Sequence, residues 1–117
     1  MTDEYEQKPI PAHWRQTFRD VVAAFVASDY QRSIPGVRPL SAETASHIRR
    51  YILDYGTTLV ALPEETWNSS VCSPSGDHWD ALIDLWTREE GRSDLVLHAQ
   101  VFENPTLSVE VYLVYVP

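Results

Sequence analysis

The sequence predicts an α+β domain: two N-terminal helices packed on one face of a four- to five-stranded antiparallel sheet. Three observations carry this. Two apolar stripes of helical period fill the first half of the chain, the period changes to that of strands after Gly56, and short turn-forming segments separate the runs that follow. At 117 residues the chain has the size of one domain, with residues 1–10 expected as a flexible tail and 11–117 as the folded unit. A hydrophobic fraction of 44%, with four Trp and six Tyr, supplies a core without disulfide staples.

Trp14, Phe18, Val21, Val22 and Phe25 fall at i, i+4, i+7, i+8 and i+11. That is one apolar stripe of an amphipathic helix, expected over residues 12–28, after Pro11. The stretch "SDYQRSIPGVRPLS" then breaks the pattern through Pro35, Gly36 and Pro39, and its length makes it a secondary candidate surface. Ser41 suits an N-cap, with Glu43 in the first turn. Ala45, Ile48, Ile52 and Tyr55 form the second stripe, and Gly56 can close that helix in a left-handed conformation.

"TTLVALP" reads as a strand ended by Pro63, Ser69 to Cys72 as a short strand and "SPSG" as a turn. Leu95, Leu97, Ala99 and Val101 give one strand face, and Leu107, Val109, Val111, Leu113 and Tyr115 another, joined through the turn "ENPT". The last strand is expected to present one fully apolar face. The hardest stretch is "DLWTREEGRSDLVLHAQV". A helix over 79–90 places Trp79, Leu82, Ile83 and Trp86 on one stripe, with Gly91 as its stop. A strand places Trp79, Ala81, Ile83 and Leu85 on one face and Asp80, Leu82, Asp84 and Trp86 on the other. Periodicity fits both, and the short connection "TREEGRS" into a following strand favours a hairpin.

The net charge of −8 lies wholly in the second half of the chain. Residues 1–58 carry seven acids and seven bases, whereas residues 59–117 carry ten acids against Arg88 and Arg92. Such a field disfavours nucleic acid and anionic membranes and favours a basic protein partner. No apolar run approaches the roughly 18 to 20 residues of a membrane span, and the polar, acidic N-terminus is unlike a secretory signal. The single cysteine, Cys72, fits a reducing compartment, so a cytoplasmic protein is expected.

Asp77, His78 and Asp80 lie close together without any metal-binding spacing, so no metal is expected. Cys72 has no nucleophile signature around it and reads as a half-buried strand residue. With four glycines there is no phosphate cradle, and no cofactor is expected. Asp80 and Asp84 on a strand stand ~13 Å apart, too far for an acid–base pair. Glu89 and Glu90 at a hairpin tip are expected to be screened and to titrate near their ordinary values. What remains is an interaction surface, an acidic face with a tryptophan anchor and no catalytic residue: Asp80, Asp84, Trp86, Glu89, Glu90, Arg92 and Asp94.

Over residues 79–101, "WDALIDLWTREEGRSDLVLHAQV" resembles a poorly characterised bacterial domain family sharing a Trp, a "DLWT-x-EEGRSDL" core and an aromatic-rich C-terminal strand. The likeness is looser over the helices and brings no activity with it. It implies that Asp84, Trp86, Glu89, Glu90, Gly91, Arg92 and Asp94 form one structural or binding unit. In size, acidity and organisation the chain is also similar to the immunity proteins that neutralise bacterial toxins. The expectation is a non-enzymatic protein-binding domain, of the immunity type, that occludes a basic partner with its acidic C-terminal half. Two alternatives stay open: a self-associating structural or regulatory module, homodimer included, and a small ligand-binding domain with a pocket between helices and sheet.

Overall fold

The computed structural model describes residues 6–117. In chain order the elements are β1 (Lys8–Pro9), α1 (Ala12–Val26), α2 (Ala42–Tyr55), β2 (Leu59–Val60), a 3-10 turn (Glu64–Asn68), β3 (Val71–Ser75), β4 (His78–Thr87), β5 (Gly91–Phe102) and β6 (Ser108–Tyr115). The strands form one six-stranded antiparallel sheet in the order β1-β3-β4-β5-β6, with β2 pairing to β4 beside that path. The architecture is the α+β class expected, with one strand more than the four to five foreseen. The segment 78–87 is a strand, so the hairpin reading holds and the helix over 79–90 is overturned. No described helix is long and apolar enough to cross a membrane.

The extra strand lies inside the expected tail. Lys8 and Pro9 pair with Cys72 and Val71, and Ile10 is fully buried, so the tail does not extend to residue 10. Two residues, one of them a proline, carry no periodic signal, which is why the sequence hid them. Residues 1–5 of that tail lie outside the described residues.

Both helices start and stop for local reasons. Ser41 Oγ accepts from the Thr44 amide at 3.0 Å, and Gly56 closes α2 at φ +87°, a left-handed conformation that a Cβ would strain. The α1 stripe and Ala45, Ile48 and Ile52 of α2 pack on the sheet's inner face, where Ala81, Ile83, Leu97, Ala99 and Val101 are completely buried. The loop after α1 is docked: Val109 donates to the Gly36 carbonyl at 2.7 Å, and the Arg38 amide donates to the Val109 carbonyl at 2.8 Å. It thereby covers part of the β6 edge.

Two irregularities set which residues face outward. Between the pairs His98↔Leu113 and Ala99↔Val111, Tyr112 is an extra residue on β6. This bulge moves Val114 into the core and leaves Leu113 and Tyr115 partly exposed. The single apolar face expected for the last strand is corrected accordingly. In the β4–β5 hairpin, Asp84 pairs with Val96 and Trp86 with Arg92, so Ser93, Asp94 and Leu95 stand opposite Leu85 alone. Ser93 fills the broken ladder: its hydroxyl donates to the Leu85 carbonyl at 2.7 Å and accepts from the Leu95 amide at 3.1 Å.

Ser93 is buried, so truncating it strands a carbonyl and an amide away from water. Ser93→Ala is expected to lower stability by about 1–3 kcal/mol in urea unfolding, against a few tenths for Ser108→Ala at the sheet's end.

Candidate functional site

Strand β4 positions most of the candidate residues. Along it Ala81, Ile83, Leu85 and Thr87 point into the core, and Asp80, Leu82, Asp84 and Trp86 point outward, all partly exposed. The outer face continues onto β5 through Arg92, Asp94, His98 and Gln100, and onto β6 through Glu110 and Tyr112.

The edge of β4 opposite β5 is shared. Strand β3 pairs with His78 to Leu82, and β2 pairs with Trp86 and Thr87. Asp84 falls in the gap between them, and the segment "TWNSS" closes it. The Asp84 amide donates to Ser70 Oγ at 2.9 Å, Thr66 Oγ1 donates to the Asp84 carbonyl at 2.6 Å, and Ser69 Oγ donates to the Asp84 carboxylate. Thr66 and Ser70 are themselves buried. Two hydroxyls therefore replace the ladder partners that a continuous strand would supply.

Asp84, Arg92 and Asp94 share one open groove of about 580 Å³ with Ser69 and Val96. Trp86 stands beside Arg92, its cross-strand partner, and its buried indole N–H has no acceptor among the described residues. Gly91 turns the hairpin at φ +75°, a conformation that a side chain would strain, and it packs at ordinary contact distance beside the Trp86 six-membered ring. Asp80 lies further along the face. Its Oδ1 is 3.1 Å from His98 Nε2 and 3.5 Å from His78 Nε2, while His78 Nδ1 is 3.0 Å from Asp77 Oδ1. The His98 ring meets Tyr112 edge-on at 5.2 Å. Among the described residues no group of three His, Cys, Asp or Glu side chains is placed to hold a metal ion.

Glu89 and Glu90 are brought elsewhere, against the end of α2. Glu89 accepts from the Thr58 amide at 2.8 Å and from Thr58 Oγ1 at 2.9 Å. Glu90 accepts from Tyr55 OH at 2.9 Å and from Thr87 Oγ1 at 3.1 Å, and Tyr55 OH accepts in turn from the Asp94 amide at 3.2 Å. The hairpin tip is thus tied to the turn that follows α2. The Thr58 amide hydrogen bond, with its hydroxyl, holds the Glu89 carboxyl below the usual carboxylate range. That corrects the expectation that it titrates ordinarily.

Cys72 is fully buried on the inner face rather than half-buried, and its thiol donates to the Pro9 carbonyl across 3.6 Å. Burial pushes that thiol up, away from the thiolate a nucleophile requires. The sequence places Asp77, His78 and Asp80 close together but does not bring His98 onto the Asp80 carboxylate. The signal exists only in register: with Asp80 opposite Gln100, His98 sits one diagonal step away. The part played by Thr58 and Tyr55 at the tip is tertiary and has no local signature.

Because the folded Glu89 carboxyl is depressed, it contributes stability above the unfolded-state value, and that contribution disappears as pH falls through the folded value. Glu89→Gln should therefore lower stability near neutrality and flatten the acid limb below about pH 4.5, so that the two proteins converge in acid. Thermal unfolding at a series of pH values checks this, and parallel acid limbs for the two proteins would refute it.

No curated protein and no solved structure matches the chain. Residues 22–117 match the model of a domain of unknown function, DUF7668, from within α1 to two residues past β6. The chain therefore belongs to the DUF7668 domain family.

Proposed function

We propose that this chain is a non-enzymatic protein-binding domain, possessing the occluding mode of action of an immunity-type inhibitor, that docks a basic partner on the outer face of its sheet. The observation that carries this reading is the groove in which Asp84, Arg92 and Asp94 converge beside Trp86, on a face that the helices leave open. Carboxylates at the rim of such a surface steer a cationic partner, and a rigid, partly exposed tryptophan supplies the apolar anchor. The −8 charge of the chain, all of it contributed by residues 59–117, supports the same sign of partner.

The segment 79–101, taken as the family's shared core, would serve two ends. Asp80, Asp84, Trp86, Arg92 and Asp94 face the partner, and Glu89 and Glu90 fix the hairpin that presents them. A ligand pocket between helices and sheet is the weaker reading, because Trp14, Phe18, Ile48 and Leu97 fill that layer with at most 1% of their surface exposed. The single buried thiol suits a cytoplasmic setting.

A nona-arginine peptide is a direct probe of a docking site for a basic chain. At low salt and neutral pH the protein should bind it, with affinity falling as salt rises. Asp84→Asn with Asp94→Lys should weaken binding roughly threefold to tenfold. Charge changes of the same size on the exposed side of α2, at Glu43 and Asp54, should have little effect. Absence of binding at low salt, or equal losses from both pairs of substitutions, would overturn the reading.

A further inference from the structure

We infer that the outer face carries a proton-operated release: the His78–Asp80–His98 cluster weakens the hold on a basic partner as pH falls. This rests on the docking reading above and concerns the regulation of that same surface. Its basis is the convergence of two imidazoles from different strands on one carboxylate oxygen, at 3.5 and 3.1 Å. The side chains of His78, Asp80 and His98 are 17%, 31% and 22% exposed, so solvent screens them only in part.

Each neighbouring charge bears on the outcome. From the β3–β4 turn, Asp77 faces His78 Nδ1. From β4, Asp84 lies four residues beyond Asp80 on the same face, and from β5, Gln100 opposes Asp80 without charge. From β6, Tyr112 meets the His98 ring and Glu110 opposes Gln100, its carboxylate paired with Arg38 at 3.2 Å. At the sheet's end, Phe102 packs on the His78 ring, and Glu103, which shares a groove with His78, is itself paired with His13 of α1 at 3.1 Å. Carboxylates therefore outnumber cations around the pair.

Histidine is the side chain whose charge changes between pH 5 and 8. With both imidazoles neutral, Asp80 presents its full negative charge to the partner. With both protonated, the trio changes from one negative charge to one positive charge, on a face that otherwise attracts cations. Aspartate and glutamate side chains ordinarily titrate near pH 4, below that range, whereas imidazole titrates within it. The chain has four histidines, and the other two, His13 and His47, lie on the helices.

Nona-arginine affinity measured at about pH 7.5 and about pH 5.5 tests the release. The wild-type protein should bind about fivefold to thirtyfold more weakly at the lower pH, which corresponds to about 1–2 kcal/mol. In His78→Gln/His98→Gln that ratio should fall to near one, while His47→Gln, on the exposed side of α2, should keep it. Circular dichroism at both pH values confirms that each variant is folded. Binding with the same pH ratio in wild type and His78→Gln/His98→Gln overturns the release alone and leaves the docking site standing. Absence of binding by the wild type at the higher pH overturns the docking site and the release together.

Discussion

Strand β4 pairs with three others, and the backbone of Asp84 falls where two of those partners leave a gap. An unpaired amide and carbonyl at that depth would cost free energy comparable to lost hydrogen bonds. The hydroxyls of Thr66 and Ser70 close the gap from one side, and that of Ser93 repairs the neighbouring break in the ladder on the other. Much else follows from these seats. They fix the twist and register of the β4–β5 hairpin, hold Asp84 and Trp86 outward, and set Ile83 and Leu85 inward against the helices.

The same economy appears at the hairpin tip. Acidic side chains that would be mere solvated charges on an isolated hairpin become hydrogen-bond acceptors for Thr58 and Tyr55. Strand β2 is only two residues long, and this tie joins its pairing in holding the end of α2 against the sheet. The surface thus divides by chemistry. Carboxylates at the tip secure the fold, and those along the outer face stay partly exposed or, at Asp80, meet histidine.

Much of the fold was legible in residue order. The α2 boundaries could be read from Ser41 and Gly56, because capping is local chemistry. The period-two pattern of β5 and the glycine of its turn identified the hairpin for the same reason. The face of β6 was misread because a single bulged residue, Tyr112, inverts every position after it, and nothing in "SVEVYLVY" marks where the extra residue falls. Strand β1 was hidden by its brevity. The groove of Asp84, Arg92 and Asp94 was legible as a set of residues but not as a shape. Its geometry depends on Ser69, fifteen positions upstream of Asp84 and on no common element.

The central claim is that the sheet's outer face, and not the helical side, receives a basic chain. Two indoles offer an internal comparison, since Trp86 and Trp67 both carry buried N–H groups without acceptors among the described residues. Trp86 lies on the outer face, whereas Trp67 packs beneath Arg15 and Arg19 of α1, at 5.4 and 5.5 Å from their guanidinium carbons. A nuclear magnetic resonance titration of the indole signals with nona-arginine compares them in one experiment. The account predicts that the Trp86 indole shifts with saturation while that of Trp67 stays in place; movement of Trp67 with Trp86 unchanged would contradict it.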